Sequence, residues 1–538
     1  MELTWLLLLA TLLLSTTLVV LLFHGKNIGS SATGGEKRRR LPPGPATVPV
    51  LGNLLWATNS GMDIMRAVRR LHARHGPMLG LRMGSRLEVI VADRRLAHAA
   101  LVESGAAMAD RPEFASRALL GLDTATISNS SYGPLWRLFR RNFVAEVAHP
   151  ARLRQFAPAR AAVLAELTDK LRRRQEDGGA GAGTILETFQ YAMFFLLVAM
   201  CFGELLDERA VRDIAAAQRD LLLHSSKKLR VFSFLPAITT RLFAGRMKAM
   251  ISMRQRLKGM FMPLIDTRRA RKTNLVNHGD PTAPPPPANA ATLPHSYVDT
   301  LLDLRVNDND NGGERALTDD EMVALCSEFL NGGTDTTSTA LEWIMAELVK
   351  NPSIQDKLHD EIKGAVTTNS GKVSEEDVHK MPYLKAVVLE GLRRHPPGHF
   401  VLPHAPAEDM ELGGYTIPKG TLVNFTVADM GMDEATWDRP REFLPERFMA
   451  GGDGEGVDIT GTREIRMMPF GAGRRICPGL GVATLHLEYF VANMVAAFEW
   501  RAAEGEAVDV DGEKLEFTVV MEKPLRARLL PREGFVTV

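Results

Sequence analysis

One of the chain's three cysteines stands near the C-terminal end, in the run Pro469-Phe470-Gly471-Ala472-Gly473-Arg474-Arg475-Ile476-Cys477-Pro478-Gly479. Glycines let a backbone approach a ligand closely, and arginines supply positive charge. A cysteine in that frame reads as a thiolate held against a large flat anion. The other reading of Cys477 is a buried structural cysteine whose thiol stays protonated. Well upstream, Gly332-Gly333-Thr334-Asp335-Thr336-Thr337 offers a second set of chemistry-bearing residues. Two residues without bulk leave room for a flat group. On a helix, the Thr336 hydroxyl can reach back to the carbonyl of Gly332 and open a polar notch there. Asp335 beside it is placed to relay protons by general acid-base chemistry.

These residues need elements to hold them. Thr318 with Glu321 reads as a capping box, and Asn351-Pro352 as a stop, so Thr318 to Lys350 can form one helix. Such a helix would run about 50 Å at 1.5 Å per residue. Its centre is weak, because each mid-helix glycine costs about 1 kcal/mol relative to alanine. Two helices joined by a Gly-Gly turn are therefore the alternative. Trp136 and Arg140 share a face at i and i+4 of a second expected helix, and Glu390 and Arg393 share one at i and i+3 of a third. Leu87 to Val91 reads as a strand. The stretches Asp177 to Gly183 and Asn277 to Pro294 read as surface loops.

Lys+Arg number 65 against 64 Asp+Glu, which gives no electrostatic case for nucleic acid. Cys201, Cys326 and Cys477 are too few and too scattered for a disulfide framework or a zinc site. Leu3 to Phe23 is almost wholly apolar and long enough to cross about 30 Å of hydrocarbon. Lys26 and Lys37-Arg38-Arg39-Arg40 follow it, so an uncleaved anchor would leave the remaining chain cytosolic. A cleaved signal peptide is the competing reading. Leu41-Pro42-Pro43-Gly44-Pro45 then supplies a stiff spacer. The expected organisation is an anchor over residues 1–25, a basic and proline-rich linker over 26–53, and a catalytic domain over 54–538.

Phe470-x-x-Gly473-x-Arg475-x-Cys477-x-Gly479 resembles the haem-thiolate signature of the cytochrome P-450 family. Gly332 to Thr337 resembles its oxygen-activation motif, in which alanine more often stands at the position of Gly332. Glu390-x-x-Arg393 with Pro445-Glu446-Arg447-Phe448 resembles its buried Glu-Arg-Arg network. The leader and hinge are similar in style to microsomal plant enzymes of the A-type branch. The resemblance implies a mainly α fold with small β-sheets (α+β), a long central helix crossing over the haem, and an N-terminal transmembrane helix. It implies haem b, iron protoporphyrin IX, with Cys477 as the metal ligand. Cofactor contacts would come from Trp136, Arg140, Gly332, Gly333, His404, Phe470, Gly473, Arg475 and Gly479, and catalysis from Asp335 and Thr336.

The implied reaction is insertion of one oxygen atom from O2 into a lipophilic small molecule. No complete dinucleotide fingerprint was found in the chain, so NADPH would act only indirectly, through a membrane-bound cytochrome P-450 reductase, with cytochrome b5 as a further donor. Basic residues on the cysteine side would form the docking surface. The implied location is the endoplasmic reticulum membrane, single-pass, with the catalytic domain facing the cytosol. The alternative is a haem-thiolate enzyme that rearranges or dehydrates its substrate without O2 or reductase; Asp335 and Thr336 argue against it. Pocket walls are expected in the loop Phe114 to Tyr132, at Cys326, Phe329 and Leu330, at Phe400 to Leu402, and near Val519-Val520.

Overall fold

A computed structural model describes residues 11, 13–15, 40–48, 52–53, 64–84, 86–113, 124–176, 183–228, 232, 236–277, 292–307, 312–366 and 371–534. The apolar leader lies outside the described residues except for 11 and 13–15, which are helical, and most of the basic cluster lies outside them too. So do residues 177–182 and 278–291 of the two expected surface loops, and residues 114–123 of the loop expected to wall the pocket.

By contacts the chain forms two units, Met1–Pro112 with Leu402–Thr426, and Glu113–Val401 with Val427–Val538. In the first, helix α1 (Ile64–His75) precedes a three-stranded sheet. Strands β1 (Met78–Met83) and β2 (Arg86–Val91) pair antiparallel, and β2 pairs parallel with β3 (Leu422–Phe425). The expected strand over 87–91 is thus present. The proline-rich run lies along β1: the Gly80 N–H donates to the Pro43 carbonyl at 2.7 Å. A side chain on Gly44 would strike the Gly80 carbonyl, so that contact requires glycine.

The second unit is mostly helical. Its helices include α2 (Pro134–Phe143), α3 (Ala157–Glu176), α4 (Ile185–Phe202), α5 (Glu208–Lys228), α6 (Asp319–Lys350), α7 (Pro352–Ala365), α8 (Pro382–Arg394) and α9 (Leu480–Ala497). Small antiparallel pairs accompany them, among them β4 (Phe498–Ala502) with β7 (Ala527–Pro531), and β5 (Glu513–Leu515) with β6 (Val519–Met521).

Helix α6 is a single helix of 32 residues, which decides between the two readings of its glycine pair. Its capping box forms as expected: the Glu321 N–H donates to Thr318 Oγ1 at 3.3 Å, and the Thr318 N–H to Glu321 Oε2 at 2.7 Å. From Thr337 to Val349 every residue is buried, and burial of that many side chains outweighs the poor intrinsic propensity of the centre. Packing also explains one glycine directly. A Cβ on Gly333 would lie 2.8 Å from Leu197 Cδ1 on α4, so its smallness serves the close approach of two core helices.

Helices α4 and α9 are long and apolar enough to cross a membrane. Yet 67% and 61% of them is buried within the protein, and they form the core around α6.

Candidate active site

The cysteine loop is shaped by its glycines. Gly471 and Gly473 have φ of +71° and +69°, a region that disfavours any side chain, which accounts for the fixed Gly473. The Cys477 N–H donates to the Phe470 carbonyl at 2.9 Å and closes the loop. Gly479 has an ordinary φ of −90° and caps α9. A Cβ there would sit 3.8 Å from the Cys477 sulfur, so glycine keeps space beside the thiol. Cys477 is half-buried. Burial pushes its thiol upward, opposed by the Gly479 N–H and by the positive charge of Arg140.

Trp136 and Arg140 lie on α2 as the spacing predicts. The Trp136 ring carries two guanidinium groups, Arg475 at 4.5 Å and Arg140 at 5.5 Å from its centroid. The family resemblance implies cofactor contacts from all three. Two of them are engaged with the chain itself. The Trp136 indole donates to the Ile127 carbonyl at 3.1 Å, and Arg475 donates to the carbonyls of Ile127 and Ser130 at 3.2 and 2.6 Å. Arg140 differs. It is half-buried, burial lowers its value, and among the described residues no acidic side chain pairs with it. A desolvated cation needs a countercharge, and that need fits a thiolate and an anionic ligand at this position.

On α6, Thr336 Oγ1 donates to the Gly332 carbonyl at 2.7 Å, the notch read from the sequence. A Cβ on Gly332 would meet nothing within 4 Å, so this face of a largely buried helix opens onto space. The Arg140 charge coupled to the Cys477 sulfur fits a flat, anionic, sulfur-ligated macrocycle, and the open glycine face of α6 is free of side chains that would obstruct one. His404 belongs to the first unit, where its ring meets Phe425 edge-on at 5.8 Å and its backbone pairs with Val423.

Asp335 is buried, and its Oδ1 accepts from Gln190 on α4 at 2.8 Å and from Arg219 on α5 at 3.1 Å. Burial raises its carboxyl above the ordinary range, while the Arg219 charge and the Gln190 bond pull it down and Glu516 pushes it up. Arg219 is 42% exposed and also pairs with Glu516 at 3.5 Å, so the group reaches solvent. Neither partner was foreseen. Gln190 did leave a signal, as the one amide side chain in a largely apolar helix; Arg219 left none.

The Glu-Arg-Arg network forms as expected. Glu390 Oε2 accepts from Arg393 Nε at 2.7 Å and Oε1 from Arg447 Nε at 3.0 Å, all three buried. The pocket walls need correction. Cys326 meets the Cys201 thiol, Phe329 packs on Phe143 and Tyr297 at 5.9 and 5.3 Å, and Leu330 is buried in the same core cluster. The open stripe runs through Ala324, Glu328, Gly332 and Thr336 at i+4 steps, about a quarter-turn from Phe329 and further from Cys326 and Leu330.

Residues 42–529 match the family model for Cytochrome P450. Cytochrome P450 89A9 of Arabidopsis thaliana is 41% identical over 500 residues, 92% of this chain and 94% of that protein. Flavonoid 3',5'-hydroxylase CYP75B138 of Crocosmia x crocosmiiflora is 30% identical over 508 residues, 92% of this chain and 91% of that protein. A zebra fish cytochrome P450 solved with progesterone shares the fold, with a TM-score of 0.65 at 22% identity over 88% of this chain and 100% of that one. With the cysteine loop, the notched central helix and the buried Glu-Arg-Arg network all formed, the chain belongs to the cytochrome P450 family.

Proposed function

We propose that this P450 monooxygenase is anchored by residues 1–25, spaced from the membrane by residues 26–53, and catalytic over residues 54–538, with Cys477 as the residue that would hold the iron of haem b. The observation that carries the reading is Arg140, a half-buried cation beside Cys477 for which the described residues supply no acid. Cys477 would hold the iron as a thiolate, a state the metal's charge would favour against the upward push of burial. Arg140 would serve the propionate edge, with Arg475 and the Trp136 ring beside it, and Gly332, Phe470, Gly473 and Gly479 would border the ring and its loop. The haem supplies the iron at which O2 is activated.

The chain's own residues do the remaining work. Thr336, bonded to the Gly332 carbonyl, holds a hydroxyl at the open face of α6. Burial raises the Asp335 carboxyl, which favours its holding a proton that it can pass inward. Its partner Arg219 keeps one side of that carboxyl in touch with water. Electrons would come from an NADPH-dependent P450 reductase, with cytochrome b5 as a further donor, at the cytosolic face of the endoplasmic reticulum. The substrate class is a lipophilic small molecule; relatives named for flavonoid hydroxylation and for phenylacetaldehyde oxime oxidation support an aromatic one.

Two measurements test this. The reduced protein with carbon monoxide should give the red-shifted Soret band of thiolate ligation, and Cys477→Ala should abolish it. Reductase-dependent NADPH consumption should accompany oxygenated product. A band at the position of histidine-ligated haem would overturn the assignment of Cys477.

A further inference from the structure

A single peptide group joins the central helix to the cysteine loop. The Ser128 N–H donates to Glu328 Oε1 at 2.7 Å, and the neighbouring Ile127 N–H donates to Glu328 Oε2 at 2.8 Å. The carbonyl of Ile127 belongs to the same peptide plane as the Ser128 N–H. That carbonyl accepts from Trp136 Nε1 at 3.1 Å and from Arg475 Nη1 at 3.2 Å. A carboxylate therefore polarises one end of a peptide while a guanidinium and an indole polarise the other, an arrangement in which each bond strengthens the next. The segment is also tied to itself, since Thr126 N–H donates to Asn129 Oδ1 at 2.9 Å and Ser130 Oγ to the Thr126 carbonyl at 2.5 Å. The turn thus transmits position as a stiff unit.

We propose that Glu328 is a positioning residue, holding Arg475 and Trp136 in register with the central helix through the Ile127–Ser128 peptide. Glu328 stands one turn before Gly332 on the open stripe, and Arg475 stands two residues before Cys477. The link therefore ties the central helix to the cysteine loop, and its bearing on haem rests on the haem-thiolate reading above. Without the carboxylate, two N–H groups lose their acceptor, the turn loosens, and Arg475 with it. The group that feels this is the bound haem.

The test is haem release from full-length protein to excess apomyoglobin, with a matched control elsewhere in the fold. Glu361 makes the same kind of clamp, its two oxygens accepting the N–H groups of Tyr383 and Leu384, each at 2.8 Å. Glu328→Gln offers one acceptor oxygen where two are needed, and release should quicken about tenfold, the factor for one lost bond to a charged group. Glu361→Gln should lose comparable thermal stability and release haem within about twofold of the parent. Glu328→Asp keeps the charge and should fall between; if Glu328→Gln does not fold, Glu328→Asp against Glu361→Asp carries the same ranking. Release at the parent rate in the Glu328 variants, or equal acceleration in the Glu361 variants, overturns the proposal. A parent protein lacking the thiolate band overturns the reading beneath it, and the link falls with it.

Discussion

Glu390 and Asp335 are both buried carboxylates, and their surroundings differ in kind. Glu390 receives Arg393 through two bonds, Arg447 through one and the Leu444 N–H at 2.9 Å. Its arginines run on into more chain: Arg393 to the Pro440 carbonyl and Arg447 to the Asp438 carbonyl, both at 2.9 Å, and Arg447 to Asp453 as well. Every charge there has a fixed partner. Asp335 has two donors on one oxygen, and one donor is on a side chain 42% exposed. A cluster closed on itself holds the chain in place, whereas a carboxylate with an edge toward water is free to change its protonation. Glu342, two turns beyond Asp335 on the same helix, is a third case: fully buried, with the Leu525 N–H at 3.1 Å and no cation among the described residues.

The contrast breaks most readily at the closed cluster. Arg447→Met leaves Glu390 and Asp453 short of a cation, and breaking a buried pair costs about 3–5 kcal/mol. The variant should melt many degrees lower; a midpoint within a degree of the parent would mean the cluster is ornamental.

Glu342 comes next. Burial lifts its carboxyl to about 7 from an ordinary 4.5. The folded value is the raised one, so the parent is unpenalised below pH 4.5, loses stability as pH climbs toward about 7, and stays at that level above it. The full difference corresponds to about 3 kcal/mol. Glu342→Gln should therefore gain on the parent across that window in pH-dependent denaturation. Parallel curves would show that Glu342 has a partner after all.

Asp335→Asn keeps shape and hydrogen bonding. Its stability should stay within about 1 kcal/mol, while turnover falls about 100-fold, the scale of general acid-base catalysis. Unchanged kcat would place Asp335 with Glu390 as architecture. The smallest effect belongs to Arg219→Gln. Its charge lowers the Asp335 value, so its removal should move the carboxyl limb of the kcat–pH profile upward. Arg219 is partly solvated, which screens its charge and keeps the move small. A downward move would contradict the assignment of that limb.

Much of this was legible along the chain because it rests on local rules. The capping box at Thr318, the Thr336-to-Gly332 bond and the pairing of Glu390 with Arg393 each need only a helix and a spacing of three or four residues. Gly473 was fixed by a motif, and the reason is its positive φ. What escaped depends on distant segments. Arg219 and Gln190 reach Asp335 across 116 and 145 residues, and Glu328 reaches Ile127 across 201. Cys326 and Phe329 were misplaced as pocket walls because an apolar side chain suits core and pocket equally. Only the phase of the helix separates them. Stepping by fours from Gly332 would have pointed to Glu328 in place of Phe329.

The same separations set an order in time. Glu390 and Arg447 are 57 residues apart, whereas Arg475 and Ile127 are 348 apart. Closing the longer loop costs roughly 1.6 kcal/mol more chain entropy, before any gain from later contacts. The Glu-Arg-Arg cluster can thus form while the chain is still opening and closing elsewhere, and the turn at Ile127 docks against the cysteine loop late. A nascent molecule would hold a built scaffold with an unfinished haem cradle. Capture of the cofactor then belongs to the last stage of folding, and pulsed hydrogen exchange should protect the amides around Glu390 before those of Ile127 and Ser128.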